Sequence, residues 1–227
     1  RQNEVFCQLL SDFSSSGAKF TCVSSTPSRV YSNGEATGQP EVHVVFARDP
    51  IKIMAHRTWE GSADGDDLVT FDHAPLTVLL EDPRFDEKCN QIVLTSVHLP
   101  PGSSKRVNAR DRQLNAMISG YPTESGTRLG QAFTQKGQKD AKRKGRHPIH
   151  LVIGDFNVHP SGPKFDVAKH GWAEPLLGAK IATSAGSKQL DNILIDKESH
   201  DRFVFSHEVL NFTNFKNART SSDGISD

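Results

Sequence analysis

Asp155 and Asn157, set two residues apart in the stretch His150-Leu-Val-Ile-Gly-Asp-Phe-Asn-Val-His-Pro160, are the residues whose types and spacing most directly suggest chemistry. A carboxylate and a carboxamide separated by one residue can point into one cavity, with Phe156 between them directed back into the core. Hard oxygen donors of this kind suit Mg²⁺ or Mn²⁺, or a phosphate held beside the ion. The same letters also make an ordinary solvated turn, because Gly, Asp and Asn are common turn formers. On its own, Gly154-Asp-Phe-Asn157 weighs the two readings about equally. The element that must position the pair is the run before it: Ile149, Leu151, Val152 and Ile153, bounded by Gly154, predict a buried strand that delivers a loop.

Three further groups sit at the ends of predicted strands. His98 closes the β-branched run Ile92 to Val97; a histidine there is a better candidate for proton transfer than one in a loop, although many such residues are satisfied core donors. Glu41 begins a predicted strand over 41–47, with Glu41, His43 and Val45 on one face and Val42, Val44 and Phe46 on the other. By itself that glutamate reads as solvated. Asp191 and Asn192 lie on a predicted strand over 190–195. The chain has no GxSxG, no HExxH, no Walker loop, no dinucleotide glycine pattern and no internal repeat.

Taken together, five stretches resemble the endonuclease/exonuclease/phosphatase superfamily in its own order. Glu41-Val-His-Val-Val-Phe-Ala-Arg48 is similar to the glutamate-bearing strand of the deoxyribonuclease-I branch, and Leu94-Thr-Ser-Val-His-Leu-Pro-Pro-Gly-Ser103 to the strand ending in the catalytic histidine. Gly154-Asp-Phe-Asn157 matches the central metal-site strand, Gln189-Leu-Asp-Asn-Ile-Leu-Ile195 the Asp-bearing strand, and Ser226-Asp227 the start of the closing Ser-Asp-His triplet. The resemblance implies a divalent-metal-dependent phosphodiester hydrolase, foremost a deoxyribonuclease-I-like endonuclease acting on DNA, with Mg²⁺ or Mn²⁺ as cofactor. It implies that Glu41 orients and polarises His98, and that Asp191 does so for a histidine beyond Asp227. Asp155 would position water or hold metal, Asn157 would contact metal and donate to a phosphate oxygen, and Asp227 would ligate metal. Arg1 and Asn192 would bind substrate. The strand carrying the family's principal metal-ligand glutamate would precede Arg1, so the resemblance implies a chain cut at both ends and catalytically crippled as it stands.

One departure concerns substrate: His73 stands where the deoxyribonuclease branch tends to place an Arg. With the charge balance, it favours a rival reading, a phosphatase or phosphodiesterase on lipid, inositol or nucleotide phosphates, since fold does not fix substrate. A third reading keeps the scaffold as an inactive interaction domain.

The chain as a whole is consistent with these readings. Its 227 residues are enough for one domain with a sizeable core, and one domain over 1–227, acting as a monomer, is expected. Hydrophobic and charged fractions of 35% and 24% exclude a disordered chain, and no run of eighteen apolar residues exists to span a bilayer. With 27 basic and 27 acidic residues, the chain does not announce a tight nucleic-acid binder. A hydrolase needs only a local patch. Three cysteines, Cys7, Cys22 and Cys89, without CxxC spacing argue against a zinc ribbon and a disulfide-dense scaffold.

In order, Val5, Phe6, Leu9, Leu10 and Phe13 predict a helix over 2–13, and Phe20 to Ser24 a strand. A polar loop is expected through Pro40, with a turn at Asn33-Gly34. Ile51 to Met54 is expected to form a hairpin with the strand at 41–47. Glu60 to Glu87 holds nine acidic residues and one Arg; it reads chiefly as a solvated loop, with a structural Ca²⁺ site as the lesser alternative by resemblance. Strands are predicted at 76–80 and 92–97 and a helix at 108–118, its polar face carrying Arg110 and Arg112. Lys136 to Arg146, with six basic residues against one Asp, reads as a solvated segment more than a phosphate contact. A short helix is expected over 163–170 and a strand over 202–210. Asn211-Phe-Thr213 is a glycosylation acceptor only in a secreted protein. The superfamily resemblance implies a four-layer α/β sandwich, two mixed, mainly antiparallel sheets face to face with helices outside.

Overall fold

The computed structural model describes residues 2–12, 17–32, 35–59, 61–64, 67–87, 90–101, 107–119, 148–159, 167, 172 and 190–202. Its centre is a five-stranded mixed sheet, and the reason is visible in the apolar strands. β8 (Leu76–Glu81), β9 (Gln91–His98), β10 (Ile149–Asp155) and β11 (Asp191–Ile195) are the β-branched runs of the sequence, and each has a covered face on both sides. With β5 (Lys52–Thr58) they stand in the order β11-β10-β9-β8-β5. β9 and β10 are parallel; the other neighbours are antiparallel.

Period-two alternation splits the apolar side chains between two faces. On one face Val97, Val152 and Leu194 pack with Leu114, Ala116, Met117 and Ile118 of α2 (Val107–Ser119). α2 follows β9 in sequence, so it is part of the crossover that a parallel pair requires. On the other face Leu76, Val78 and Leu80 meet Val45 and Ala47 of β4 (Val44–Arg48), with Val23 of β1 (Phe20–Ser24) beside them. β1 and β4 form a separate antiparallel pair, so this is sheet against sheet. Outside β1 lies α1 (Gln2–Asp12): its Cys7 is buried, and Ser11 Oγ accepts from the Phe20 amide at 3.0 Å. Helix, sheet, sheet and helix make the four layers the resemblance implied. One buried polar chain in the large sheet is satisfied internally: Trp59 Nε1 donates to Thr77 Oγ1, which bonds Thr95 Oγ1, each at 2.8 Å.

Four expectations need correction. The strand expected over 41–47 is divided: β3 (Glu35–Glu41) ends at the glutamate and β4 begins at Val44. The segment expected as a loop through Pro40 pairs β3 with β2 (Ser28–Ser32) on either side of Asn33-Gly34; its polar composition lacks the apolar alternation that marks a strand in sequence. β5 does not form a hairpin with β4. After Arg48 the chain changes sheets, because Val45 and Ala47 belong to the small sheet while Ile53 belongs to the large one, where β5 pairs with β8. The acidic stretch is no open loop at its densest point: β6 (Gly61–Asp64) and β7 (Asp67–Thr70) pair, bringing Asp64 opposite Asp67. Residues 65–66 fall outside the described residues.

Two smaller differences follow. Val5 and Leu9 of α1 are exposed, so its apolar stripe is only partly covered. Arg202 ends a short helix, α3 (Lys197–Arg202), instead of opening a strand. The expected helix over 163–170, the basic segment 136–146, most of the expected strand 202–210 and the acceptor at Asn211 lie outside the described residues, apart from isolated positions.

Candidate active site

Three strand ends place the polar residues. In the parallel pair Asp155 sits opposite His98, and in the antiparallel pair it sits opposite Asp191. Side chains at paired positions share a face. Since Val97, Val152 and Leu194 face α2, the alternation turns His98, Asp155 and Asp191 to the other face, toward the small sheet, in a row across β9, β10 and β11. Phe156, the next residue, is fully buried, as its position between Asp155 and Asn157 predicts.

Glu41 reaches the row from the end of β3. Its Oε2 accepts from His98 Nδ1 at 2.6 Å, a charge-assisted hydrogen bond of the shorter kind. The opposite ring nitrogen, Nε2, is then turned toward Asp155, 3.9 Å from Oδ2. Asp155 is half-buried and open on one side. His73, just before β8, is buried, and its ring stacks on that of His98 with centroids 4.7 Å apart and planes 12° from parallel. Its Nδ1 lies 3.4 Å from the same Glu41 oxygen. Two imidazoles therefore face one carboxylate. A third, His43, follows Glu41 by two residues and hydrogen-bonds Ser96 Oγ through Nδ1 at 2.9 Å.

The loop after β10 is fixed from three directions. The Asn157 amide donates to Asp155 Oδ1 at 2.7 Å, its side-chain Nδ2 donates to the Leu99 carbonyl at 2.7 Å, and its own carbonyl accepts from Arg110 at 3.0 Å. Asn157 takes φ of 50°, a left-handed conformation that asparagine tolerates better than most residues. One of its amide hydrogens is thus committed to Leu99, which competes with the expected donation to a phosphate oxygen. Arg110, expected on the polar face of α2, turns to this loop and to Asp111.

The electrostatics follow from the crowding. Burial pushes the Asp155 carboxyl above its usual range, and the Asp191 and Glu41 charges push it the same way, against the Asn157 amide and His98. His43 is pushed down to about 4, first by burial and then by the positive charge His98 and His73 can carry.

No protein-family model and no curated protein matches the sequence. Among solved structures, the catalytic domain of human Nocturnin, determined with a bound sulfate anion, superposes with a TM-score of 0.50 over 86% of this chain, at 18% identity. This chain has the fold of the endonuclease/exonuclease/phosphatase superfamily. It covers 65% of that Nocturnin domain, less than two thirds. A mannosyl-6-phosphatase of Bacteroides thetaiotaomicron has a TM-score of 0.45 at 12% identity over 86% of this chain and 68% of its own. An endonuclease/exonuclease/phosphatase family protein of Leptotrichia buccalis has a TM-score of 0.43 at 14% identity, covering 87% and 66%.

Within the endonuclease/exonuclease/phosphatase fold, the structure brings Glu41, His98, Asp155, Asn157 and Asp191 to one rim. Asn192 is turned away: it is buried on the α2 side of β11, with Oδ1 accepting from the Ile193 amide at 2.8 Å, so we leave it out of the site. Arg1 and Asp227 lie outside the described residues. His73 is the residue that sequence reasoning passed over as a site member. Its only signal was a histidine among carboxylates where a related branch tends to carry Arg. Two groups of donors could hold a cation. Asp155 and Asp191, with Asn157 beside them, are oxygen donors; Glu41, His73 and His98 offer one ligand atom each, all within 4.8 Å of one another.

Proposed function

We propose that the full natural polypeptide bearing this chain hydrolyses phosphoester bonds, with the phosphodiesters of nucleic acid, DNA first, as its substrate class, through one domain acting as a monomer. The observation that carries the reading is the 2.6 Å bond from His98 Nδ1 to Glu41 at the head of a row containing Asp155 and Asp191. The superfamily fold supports it.

The chemistry follows from charge. Attack on a phosphoester brings hydroxide to an anion and expels an alkoxide, so a base must prepare the water and positive charge must offset what develops. Glu41 accepts the Nδ1 proton of His98 and thereby fixes the tautomer whose Nε2 lone pair is directed to the rim. That nitrogen takes a proton from water. Asp155, 3.9 Å from that nitrogen, orients the same water by accepting a hydrogen bond from its other O–H, which stays on the attacking hydroxide. Arg110 and the Leu99 carbonyl hold the Asn157 loop so that Asp155 keeps its position.

Residues of this rim fit a hard divalent cation. Burial and the neighbouring Asp191 and Glu41 work against ionised Asp155, and a cation among them relieves that repulsion. Asp155, with Asn157 and Asp227, would hold Mg²⁺ or Mn²⁺, which supplies charge neutralisation on the phosphoryl oxygens when bound. A structural Ca²⁺ near 64–67 is the lesser proposal.

A second reading, a phosphatase on lipid, inositol or nucleotide phosphates, is favoured by His73 in place of Arg and by the net charge of zero. The test is plasmid nicking by the full natural polypeptide, with His98→Ala as control. Mg²⁺-dependent nicking lost in His98→Ala is expected. Phosphate release from lipid or nucleotide substrates without nicking establishes the second reading, and inactivity on all of them leaves an interaction domain.

A further inference from the structure

Glu41, His73 and His98 do not make a set that a hard cation would choose. Mg²⁺ and Ca²⁺ take oxygen ligands almost exclusively, whereas two imidazoles and one carboxylate suit Zn²⁺ and Co²⁺, commonly with water in the fourth position. We propose that these three residues form a site for such a borderline transition-metal ion, distinct from the oxygen donors at Asp155, and that its occupancy withdraws His98 from the row. The binding stands by itself; the inhibitory consequence rests on the hydrolase reading above.

The spacing is close to what such an ion needs. Ligands at about 2.0–2.1 Å from a tetrahedral centre stand about 3.3–3.4 Å from one another. Here His73 Nδ1 is 3.4 Å from Glu41 Oε2, His98 Nδ1 is 2.6 Å from it, and no two ligand atoms of the three are more than 4.8 Å apart. The three side chains differ in exposure: that of His73 is 6% exposed, while those of His98 and Glu41 are 31% and 44% exposed and leave a way in from solvent.

The stacking predicts what moves. A nitrogen lone pair lies in its ring plane, and planes only 12° apart cannot both contain one ion between them. One ring must tilt, and the half-buried His98 is the one with room. Tilting carries its Nε2 away from Asp155, so an ion held here and a base poised at the rim exclude each other. Coordination also takes the Nδ1 that Glu41 otherwise holds.

The experiment is titration of the metal-free protein with ZnCl₂ by calorimetry and with CoCl₂ by visible absorption, for wild type, His73→Gln, Glu41→Gln and Asp155→Asn. One equivalent is expected to bind the wild type, with the intense absorption of a four-coordinate Co²⁺ centre. His73→Gln and Glu41→Gln should each weaken binding by at least about tenfold, since each removes one ligand of three. Asp155→Asn should leave it within about twofold, and a millimolar excess of Mg²⁺ should not displace the ion. Two ligand variants are included so that one misfolded protein, recognised by circular dichroism, does not decide the outcome. Absence of wild-type binding, or binding by both ligand variants as tight as that of wild type, overturns the site; loss in Asp155→Asn as large as in His73→Gln moves it to the oxygen donors and overturns it. Inhibition is read separately: Zn²⁺ bound at one equivalent with Mg²⁺-supported turnover unchanged overturns only the second half, and binding by a protein with no turnover condemns the hydrolase reading and leaves the site standing.

Discussion

Replacing Gly154 by Ala tests the packing that holds His98 beside Asp155. Gly154 takes φ of 140°, a region that side-chain-bearing residues rarely enter, and it lies opposite Val97 in the parallel pair. A Cβ there would run into the Val97 carbonyl oxygen and stand 3.0 Å from its carbon and 3.1 Å from the Val97 nitrogen. These are backbone atoms of a central strand, with no side chain to swing aside. Backbone strain of about 1–3 kcal/mol and overpacking of about 1–3 kcal/mol together predict a loss of about 2–6 kcal/mol, against a total stability typically of about 5–15 kcal/mol. Urea unfolding followed by far-ultraviolet circular dichroism measures it, with Ile153→Val as a neighbour expected to lose only about 0.5–1.5 kcal/mol. A Gly154→Ala protein within about 0.5 kcal/mol of wild type, with an unchanged urea slope, would refute the close approach of β9 and β10 at this point.

Two other expectations concern stability. His43 protonates near 4 in the folded chain against 6.5 unfolded, so its contribution is complete above about pH 6.5 and is lost as pH falls from there through 4. The full shift corresponds to about 3 kcal/mol, and partial contact with water reduces this to about 1–2 kcal/mol. Denaturation at pH 7 and pH 5 should show about half of that loss in wild type and a smaller one in His43→Gln. Asp196 is buried and serves two backbone donors, the Ser199 amide at 2.9 Å, where it caps α3, and the His150 amide at 3.1 Å. Asp196→Ala should lose about 2–4 kcal/mol, a lost cap plus an unpaired buried amide, with Asp196→Asn between it and wild type by thermal unfolding.

Four of the five strands of the central sheet were legible in the sequence because they are apolar runs of five to eight residues, whereas β5, Lys52-Ile-Met-Ala-His-Arg-Thr58, is mixed and largely exposed. The helix at 107–119 was legible through its 3.6-residue stripe. β2, β3, β6 and β7 were not, since two-stranded pairs of polar and charged residues carry no periodicity to read. The sheet change after Arg48 was also hidden: a short connection containing Pro between two strands reads as a hairpin, and only the destination of Val45 and Ile53 tells the layers apart. For the site, strand ends were the informative places, and Glu41, His98, Asp155 and Asp191 all occupy them. Asn192 follows Asp191 by one residue, so strand alternation turns it to the opposite face of β11. His73 was missed because it precedes its strand in a bend, where sequence gives no direction to a side chain.

The row at positions 98, 155 and 191 stands at one end of the sheet, where the chain leaves β9 at His98 and β10 at Asp155 and re-enters at Asp191 of β11. Closing a flexible connection costs only about 0.6 kcal/mol more for each doubling of its length. Insertions between these strands can therefore reshape whatever surrounds the rim at small thermodynamic cost, while the ladder keeps the three side chains abreast. A scaffold arranged in this way can exchange one ligand preference for another by drift in its connections alone, with the reactive geometry inherited unchanged.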